Sequence, residues 1–210
     1  MEQEKNHWEK IYQTKLPREV SWTQAKPNIS LDFIHSLRLP KTARIIDIGG
    51  GDSRLVDFLL EEGYPHLTVL DISRSALERA KNRLGKLAEQ VAWIEQDIIS
   101  YQASGSFDLW HDRAAFHFFT TDVKVGAYLS VARKSIRKGG YAIIGTFSDR
   151  GPDRCSGLPV RRYNEKLMTE TWREGFEKIG CRKEVHQTPL NTNQEFIFCA
   201  FRRKADNETY

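Results

Sequence analysis

The sequence predicts an α/β fold, doubly wound around a mainly parallel sheet. Three observations point there. From residue 43 onward, short β-branched runs alternate with amphipathic helical patterns, and that alternation places helices on both faces of parallel strands. The first run leads straight into three glycines and a helix, "IIDIGGGDSRLVDFLL" (45–60), and a Gly-rich turn after the first strand marks the switch point at which such sheets bind ligands. The last two runs, "CRKEVHQT" and "QEFIFCAFRR", are separated only by "PLNTN", a connection that permits only an antiparallel hairpin.

Taken in order, residues 1–40 read as an N-terminal helical cap. "HWEKIYQ" has helical spacing, "LPREVSW" breaks it, and "NISLDFIHSL" is a second short helix capped by Asn28 or Ser30. "ARIIDIG" (43–49) is a buried strand, followed by a helix from about Ser53 to Glu62. "LTVLDI" (67–72) is the next strand, and "SALERAKNRLG" the next helix, with Ser73 or Ser75 as its cap and Gly85 as its stop. Strands follow at 90–97 and 107–112, then a helix from Asp122 to Arg137 ending before Gly139 and Gly140, and a fifth strand, "YAIIGTF" (141–147). The helix "NEKLMTETWREGF" and the closing hairpin complete a seven-stranded, Rossmann-like sheet whose last strand is antiparallel. Residues 1–40 and 41–205 together form a single domain.

The 210 residues, 40% hydrophobic and 29% charged, suffice for one full core. No run of about 18 apolar residues exists to span a membrane. "MEQEKNHWEK" lacks the apolar stretch of a secretory signal. Three scattered cysteines, Cys155, Cys181 and Cys199, do not make a disulfide framework, and the expected location is cytoplasmic. The net charge of +4 is mild, and the basic runs 133–138 and 202–204 read as solvated element ends.

The glycines raise the question of what lies against them. Gly49, Gly50 and Gly51 allow a ligand to approach bare backbone. A dinucleotide fingerprint would need a third glycine where Arg54 stands, and no phosphate-binding GxxxxGK[ST] is present. Instead Asp47 and Asp52 flank the loop, and paired carboxylates suit an ammonium rather than a phosphate. Asp71, ending the second strand, can accept both hydroxyls of a ribose, and Asp97, ending the third, can accept from an adenine amino group. An ammonium, a ribose diol and an adenine without phosphate describe S-adenosylmethionine.

"IIDIGGGDS", "VLDIS", "EQDI" and "FDLWHD" resemble the successive motifs of the class I S-adenosylmethionine-dependent methyltransferases, over about residues 40–202. The resemblance implies a methyltransferase domain at 41–205 with S-adenosylmethionine as cofactor and S-adenosylhomocysteine as product. It places Asp71, with Ile72 beside it, at the ribose and Asp97 with Ile98 at the adenine. Asp47, Gly49, Gly50 and Gly51 fall beside the methionine part, and Trp110 belongs to the same set.

"WHDRAAFHFF" (110–119) resembles the "DRG" stretch of thiopurine-type methyltransferases and the "DKG" stretch of some protein-lysine methyltransferases, with Ala114 in place of the glycine. His111 and Asp112 are candidates for base or orienter, and Arg113 for positioning an anionic acceptor. The loop 148–163 is expected to close over the acceptor, with Arg161 or Arg162 facing inward. Trp8, Tyr12, Trp22, His117 and His186 complete the expected acceptor surroundings. Cys155 reads either as a thiol activated by neighbouring arginines or as an inert buried one. No CxxC or HxxxH spacing supports a metal, and none is expected. The favoured reading is methyl transfer to a small thiol, chalcogen or amine, with no nucleic-acid or membrane partner. A protein-lysine methyltransferase is the rival within enzymes, and a non-catalytic S-adenosylmethionine-binding protein the rival outside them.

Overall fold

The computed structural model describes residues 2–102 and 107–205. Helix α1 (Glu2–Thr14) and helix α2 (Asn28–Ser36) precede strand β1 (Arg44–Ile48). There follow α3 (Leu55–Glu61), β2 (His66–Asp71), α4 (Arg74–Leu84), β3 (Val91–Glu95), β4 (Phe107–Arg113), α5 (Asp122–Ser135) and β5 (Ile136–Phe147). A two-stranded ribbon, β6 (Arg154–Cys155) and β7 (Leu158–Pro159), leads to α6 (Glu165–Trp172) and the hairpin β8 (Phe176–Gln187) and β9 (Asn193–Arg203). The main sheet has seven strands in the order β3-β2-β1-β4-β5-β9-β8. Strands β1 to β5 are parallel, and β9 runs antiparallel to both its neighbours. The predicted architecture is therefore observed, with the 148–163 segment adding a ribbon that the sequence reading left as loop.

Both faces of the sheet are covered, and strand alternation assigns the side chains to them. Ile46, Ile48, Trp110, Ala142 and Ile144 pack with α5 and α6 through Tyr128, Met168 and Trp172. Ala43, Ile45, Leu109 and Ile143 pack with α2 and α3 through Phe33, Ile34, Leu55 and Leu59.

Helix ends follow local chemistry. Ser73 caps α4 by accepting from the Ala76 N–H at 3.2 Å, and Gly85 ends that helix at φ +58°. The predicted cap of α2 is not formed. Pro27 occupies that position without a side-chain bond, and the Ser30 hydroxyl is directed to a buried histidine instead. The cysteine reading also changes. Cys181 and Cys199 are register partners on β8 and β9, with Cα atoms 4.1 Å apart, and form a disulfide; an 18-residue separation hides a pair that the hairpin brings face to face. No described helix is long and apolar enough to cross a membrane.

Candidate active site

The carboxyl ends of β1 to β4 open into one cavity of about 390 Å³, bordered by Asp47, Gly49, Gly50, Asp71, Ile72, Asp97, Ile98, His111 and Arg113. Helix α1 and the 20–27 segment lie over it, contributing Trp8, Tyr12, Trp22, Thr23 and Gln24. The ribbon adds Cys155, Leu158 and Pro159.

The glycine loop is shaped by its protein neighbours as much as by space for a ligand. Gly49 and Gly51 have φ of +60° and +50°, a region that disfavours side chains. A Cβ on Gly50 would stand 2.8 Å from both the Asp47 carboxylate and Val69, and one on Gly51 would stand 2.7 Å from the Tyr12 hydroxyl. Gly51 itself does not border the cavity; its place is taken by the tyrosine reaching in from α1. Arg83 on α4 clamps the loop by donating to the Asp52 and Ser53 carbonyls at 2.8 Å each and to the Asp57 carboxylate.

Asp71 is 6% exposed and accepts from the Ser73 N–H at 2.8 Å. Burial, with the Asp52 and Asp47 charges adding to it, pushes its carboxyl up to about 7. Asp97 accepts from the Ile99 N–H at 3.0 Å, which turns the chain so that Ile98 also faces the cavity.

Asp47 and His111 are register partners on β1 and β4, and His111 Nδ1 lies 2.7 Å from Asp47 Oδ1. A carboxylate only accepts, so Nδ1 carries the proton. Nε2 meets the Ser30 hydroxyl at 2.9 Å. Arg113, two residues along the same strand, donates from Nη1 to the Trp22 carbonyl at 2.9 Å and stacks 4.7 Å from the Phe196 ring.

Other sequence candidates lie elsewhere. Trp110 and Asp112 point to the opposite face of β4, because side chains alternate along a strand. Trp110 Nε1 donates to the Tyr128 hydroxyl at 2.9 Å, and that hydroxyl donates to Asp112 at 2.6 Å. The second Asp112 oxygen accepts from the Ala115 and Phe116 N–H groups at 3.0 Å. The carboxylate is thus occupied as a buried tie between β4 and α5, and burial pushes it up to about 6. His117 is fully buried outside the cavity lining, and burial pushes its ring down to about 3. His186 faces the Ser21 carbonyl at 2.8 Å. Arg161 pairs with Asp122 at 2.6 Å, and Arg162 donates to the Gly151 carbonyl at 3.3 Å. The ribbon covers the cavity with Leu158 and Pro159 in their stead. Cys155 does border the cavity, but burial raises its thiol to about 11, against the smaller opposing effect of Arg113.

Ser30, Tyr128 and Glu184 escaped the sequence reading as site neighbours. Ser30 stands 81 residues from His111, and only the fold brings them together. Among the described residues no group of three or more His, Cys, Asp or Glu side chains is arranged to hold a metal.

Residues 46–142 match the family model described as a methyltransferase domain. Those residues, a little under half of the chain, carry a methyltransferase domain. Malonyl-[acyl-carrier protein] O-methyltransferase of Anoxybacillus flavithermus is 32% identical over 108 residues, covering 50% of this chain and 39% of that protein. The eEF1A lysine and N-terminal methyltransferase of Mus musculus is 22% identical over 172 residues, covering 81% of this chain and 24% of that protein. The chain thus spans well under half the length of these curated relatives. Among solved structures, the 1,6-didemethyltoxoflavin-N1-methyltransferase of Burkholderia thailandensis, with 1,6-didemethyltoxoflavin and S-adenosylhomocysteine bound, superposes with a TM-score of 0.72 at 17% identity, over 97% of this chain and 85% of that one. The chain accordingly has its fold in common with that enzyme.

Proposed function

We propose that this class I domain binds S-adenosylmethionine and transfers its methyl group to a small molecule held in the same cavity. The observation that carries the reading is a single covered cavity with two unlike halves. One half is acidic and lined by backbone; the other is aromatic, with Trp8 and Phe118 in edge contact at 5.1 Å and Trp8 and Trp22 at 5.7 Å.

The residues fit the cofactor. The buried Asp71 carboxylate borders the cavity and accepts from the Ser73 N–H, and ribose hydroxyls would add further donors. Asp47 and the Gly49–Gly50 backbone suit an ammonium, and Asp97 with Ile98 suits an adenine edge and face. When bound, S-adenosylmethionine supplies an electrophilic methyl group on a cationic sulfur. The chain's own residues then bind, align and exclude water. His111 holds the Asp47 carboxylate in place, Tyr12 packs the glycine loop from above, and the Leu158–Pro159 ribbon closes the acceptor side.

A protein-lysine acceptor would need an open groove, whereas α1 ties across the cavity through Glu4–Lys124 at 2.7 Å and Glu9 bonds to Ser73 and Ser75. The test is a transfer screen against thiols, amines, acids and a peptide pool, reading S-adenosylhomocysteine release. Turnover on a small acceptor is the expected result; turnover on peptides alone overturns the small-molecule reading.

A further inference from the structure

We propose that the acceptor carries a planar anionic group, a carboxylate or its isostere, on a flat apolar body, and that Arg113 anchors that group. The inference rests on the methyl-transfer reading and narrows its substrate class.

Arg113 is the reason. Its side chain borders the cavity, yet its guanidinium nitrogens are poorly served by the protein. Nη1 donates to the Trp22 carbonyl, while Nε and Nη2 have neither a partner nor contact with solvent. These two nitrogens share one edge of the guanidinium, the edge that takes a carboxylate through two parallel hydrogen bonds; that edge is closed to solvent here, so the covering Trp22–Thr23 segment yields as the anion enters. No ion pair among the described residues includes Arg113. The charged groups bearing on it are Glu184 and Asp47, with the Cys155 thiol. Asp47 is engaged by His111. Glu184 accepts weakly from Gln24 at 3.5 Å and leaves its other oxygen unpartnered, and burial raises its carboxyl toward the neutral form. Burial likewise holds the Arg113 guanidinium down to about 10. A buried cation without a close counter-charge is costly, and an arriving anion relieves that cost.

The neighbours extend the pattern. Thr23 Oγ1 is also buried without a partner, and Thr23 borders the cavity. Its hydroxyl can donate. Native interiors rarely leave such a set of donors unmet. The surrounding walls are the rings of Trp8, Trp22 and Phe118, with Leu158 above. Flat apolar matter fits between them, and a free alkylammonium meets a guanidinium of like charge.

The test uses the whole chain loaded with S-adenosylhomocysteine. Indole-3-acetate, indole-3-acetamide and tryptamine are titrated by calorimetry. The acid is expected to bind at least tenfold more tightly than the amide, and tryptamine more weakly still. Arg113→Gln should remove the acid-over-amide preference and Arg113→Lys should retain part of it, while S-adenosylhomocysteine affinity stays within about twofold as the control for folding. Equal binding of acid and amide, tighter binding of tryptamine, or no binding of the acid at millimolar concentration overturns the proposal alone. Failure of S-adenosylhomocysteine to bind overturns the methyl-transfer reading, and this one with it.

Discussion

His111 and Asp47 are joined side chain to side chain at 2.7 Å from register-paired positions on β4 and β1. Both are buried, and Ser30 holds the far side of the ring. The histidine is therefore a positioning residue for a carboxylate that borders the ligand cavity. His111→Leu removes the partner of a buried charge, a loss of about 1.5–3 kcal/mol. It should lower S-adenosylhomocysteine affinity at least tenfold and the melting temperature by several degrees. Ser30→Ala, which leaves the His111–Asp47 bond in place, should change affinity less than fivefold. Calorimetry and thermal melts check both; a larger loss in Ser30→Ala than in His111→Leu reverses the assignment.

Asp71 gives a pH signature. Its unliganded carboxyl titrates at about 7, above the ordinary 3.8. A raised carboxyl means that the folded protein binds more protons than the unfolded chain between those values, so this residue costs stability as pH rises from about 4 to about 7. A ligand whose hydroxyls donate to the ionised form binds more tightly as pH rises through about 7, and binding releases a proton below that point. Titrations in buffers of different ionisation heat should show that release at pH 6.5. Asp71→Asn should weaken binding yet raise the melting temperature of the free protein at pH 8; unchanged affinity removes Asp71 from the ligand site.

The Asp112–Tyr128 tie predicts a structural phenotype. Tyr128→Phe leaves Trp110 Nε1 without an acceptor and Asp112 Oδ2 without a donor, a cost of about 1–3 kcal/mol. In a domain of this size each kcal/mol shifts melting by about 2–4 °C. Asp112→Ala orphans three donors and should cost more. Melting should fall in both, with Tyr128→Phe keeping S-adenosylhomocysteine affinity within about twofold. A tenfold affinity loss in Tyr128→Phe with unchanged melting contradicts the structural role.

In the 148–163 segment, the arginines at 161 and 162 and the apolar strand β7 separate cleanly. Arg161 and Arg162 are engaged away from the cavity. Arg161→Ala and Arg162→Ala should each leave ligand affinity within about twofold. Leu158→Glu, which places a charge over the acceptor half, should weaken binding of an acidic acceptor without altering S-adenosylhomocysteine affinity. An arginine variant that loses acceptor binding restores the inward-facing arrangement.

Ala114 adopts φ +69° and donates its N–H to the Gly145 carbonyl at 2.9 Å. A left-handed non-glycine residue carries strain of about 1–2 kcal/mol, partly offset by the entropy glycine loses on folding. Ala114→Gly should therefore raise stability by up to about 1 kcal/mol. Chemical denaturation measures it, and destabilisation would show that the alanine methyl group packs well enough to outweigh its backbone strain.

How far the sequence speaks depends on which physical signal carries each feature. The alternation of strand and helix spelled out the sheet, and the acids at the ends of β1, β2 and β3 were legible because ligands bind at those ends. The 110–113 cluster was read as a unit, whereas the pleat divides it, with His111 and Arg113 toward the cavity and Trp110 and Asp112 toward α5. Period-two alternation was available in the sequence and would have made that division. No linear signal pairs Ser30 with His111 or Cys181 with Cys199, since those contacts depend on long-range topology. The inward arginines of the ribbon failed because polarity marks surface as readily as site, and here a surface partner, Asp122, takes Arg161.

Ser21 and Gln24 find polar partners on β8, where His186 meets the Ser21 carbonyl and Glu184 meets Gln24. Those partners lie 165 and 160 residues downstream. On the ribosome, a nascent chain therefore emerges with Ser21 and Gln24 long before their β8 partners exist, while Arg113 on β4 reaches the Trp22 carbonyl earlier. The glycine loop and its acids can assemble from the first half of the chain, but the 21–24 segment gains its last polar ties only with the final hairpin.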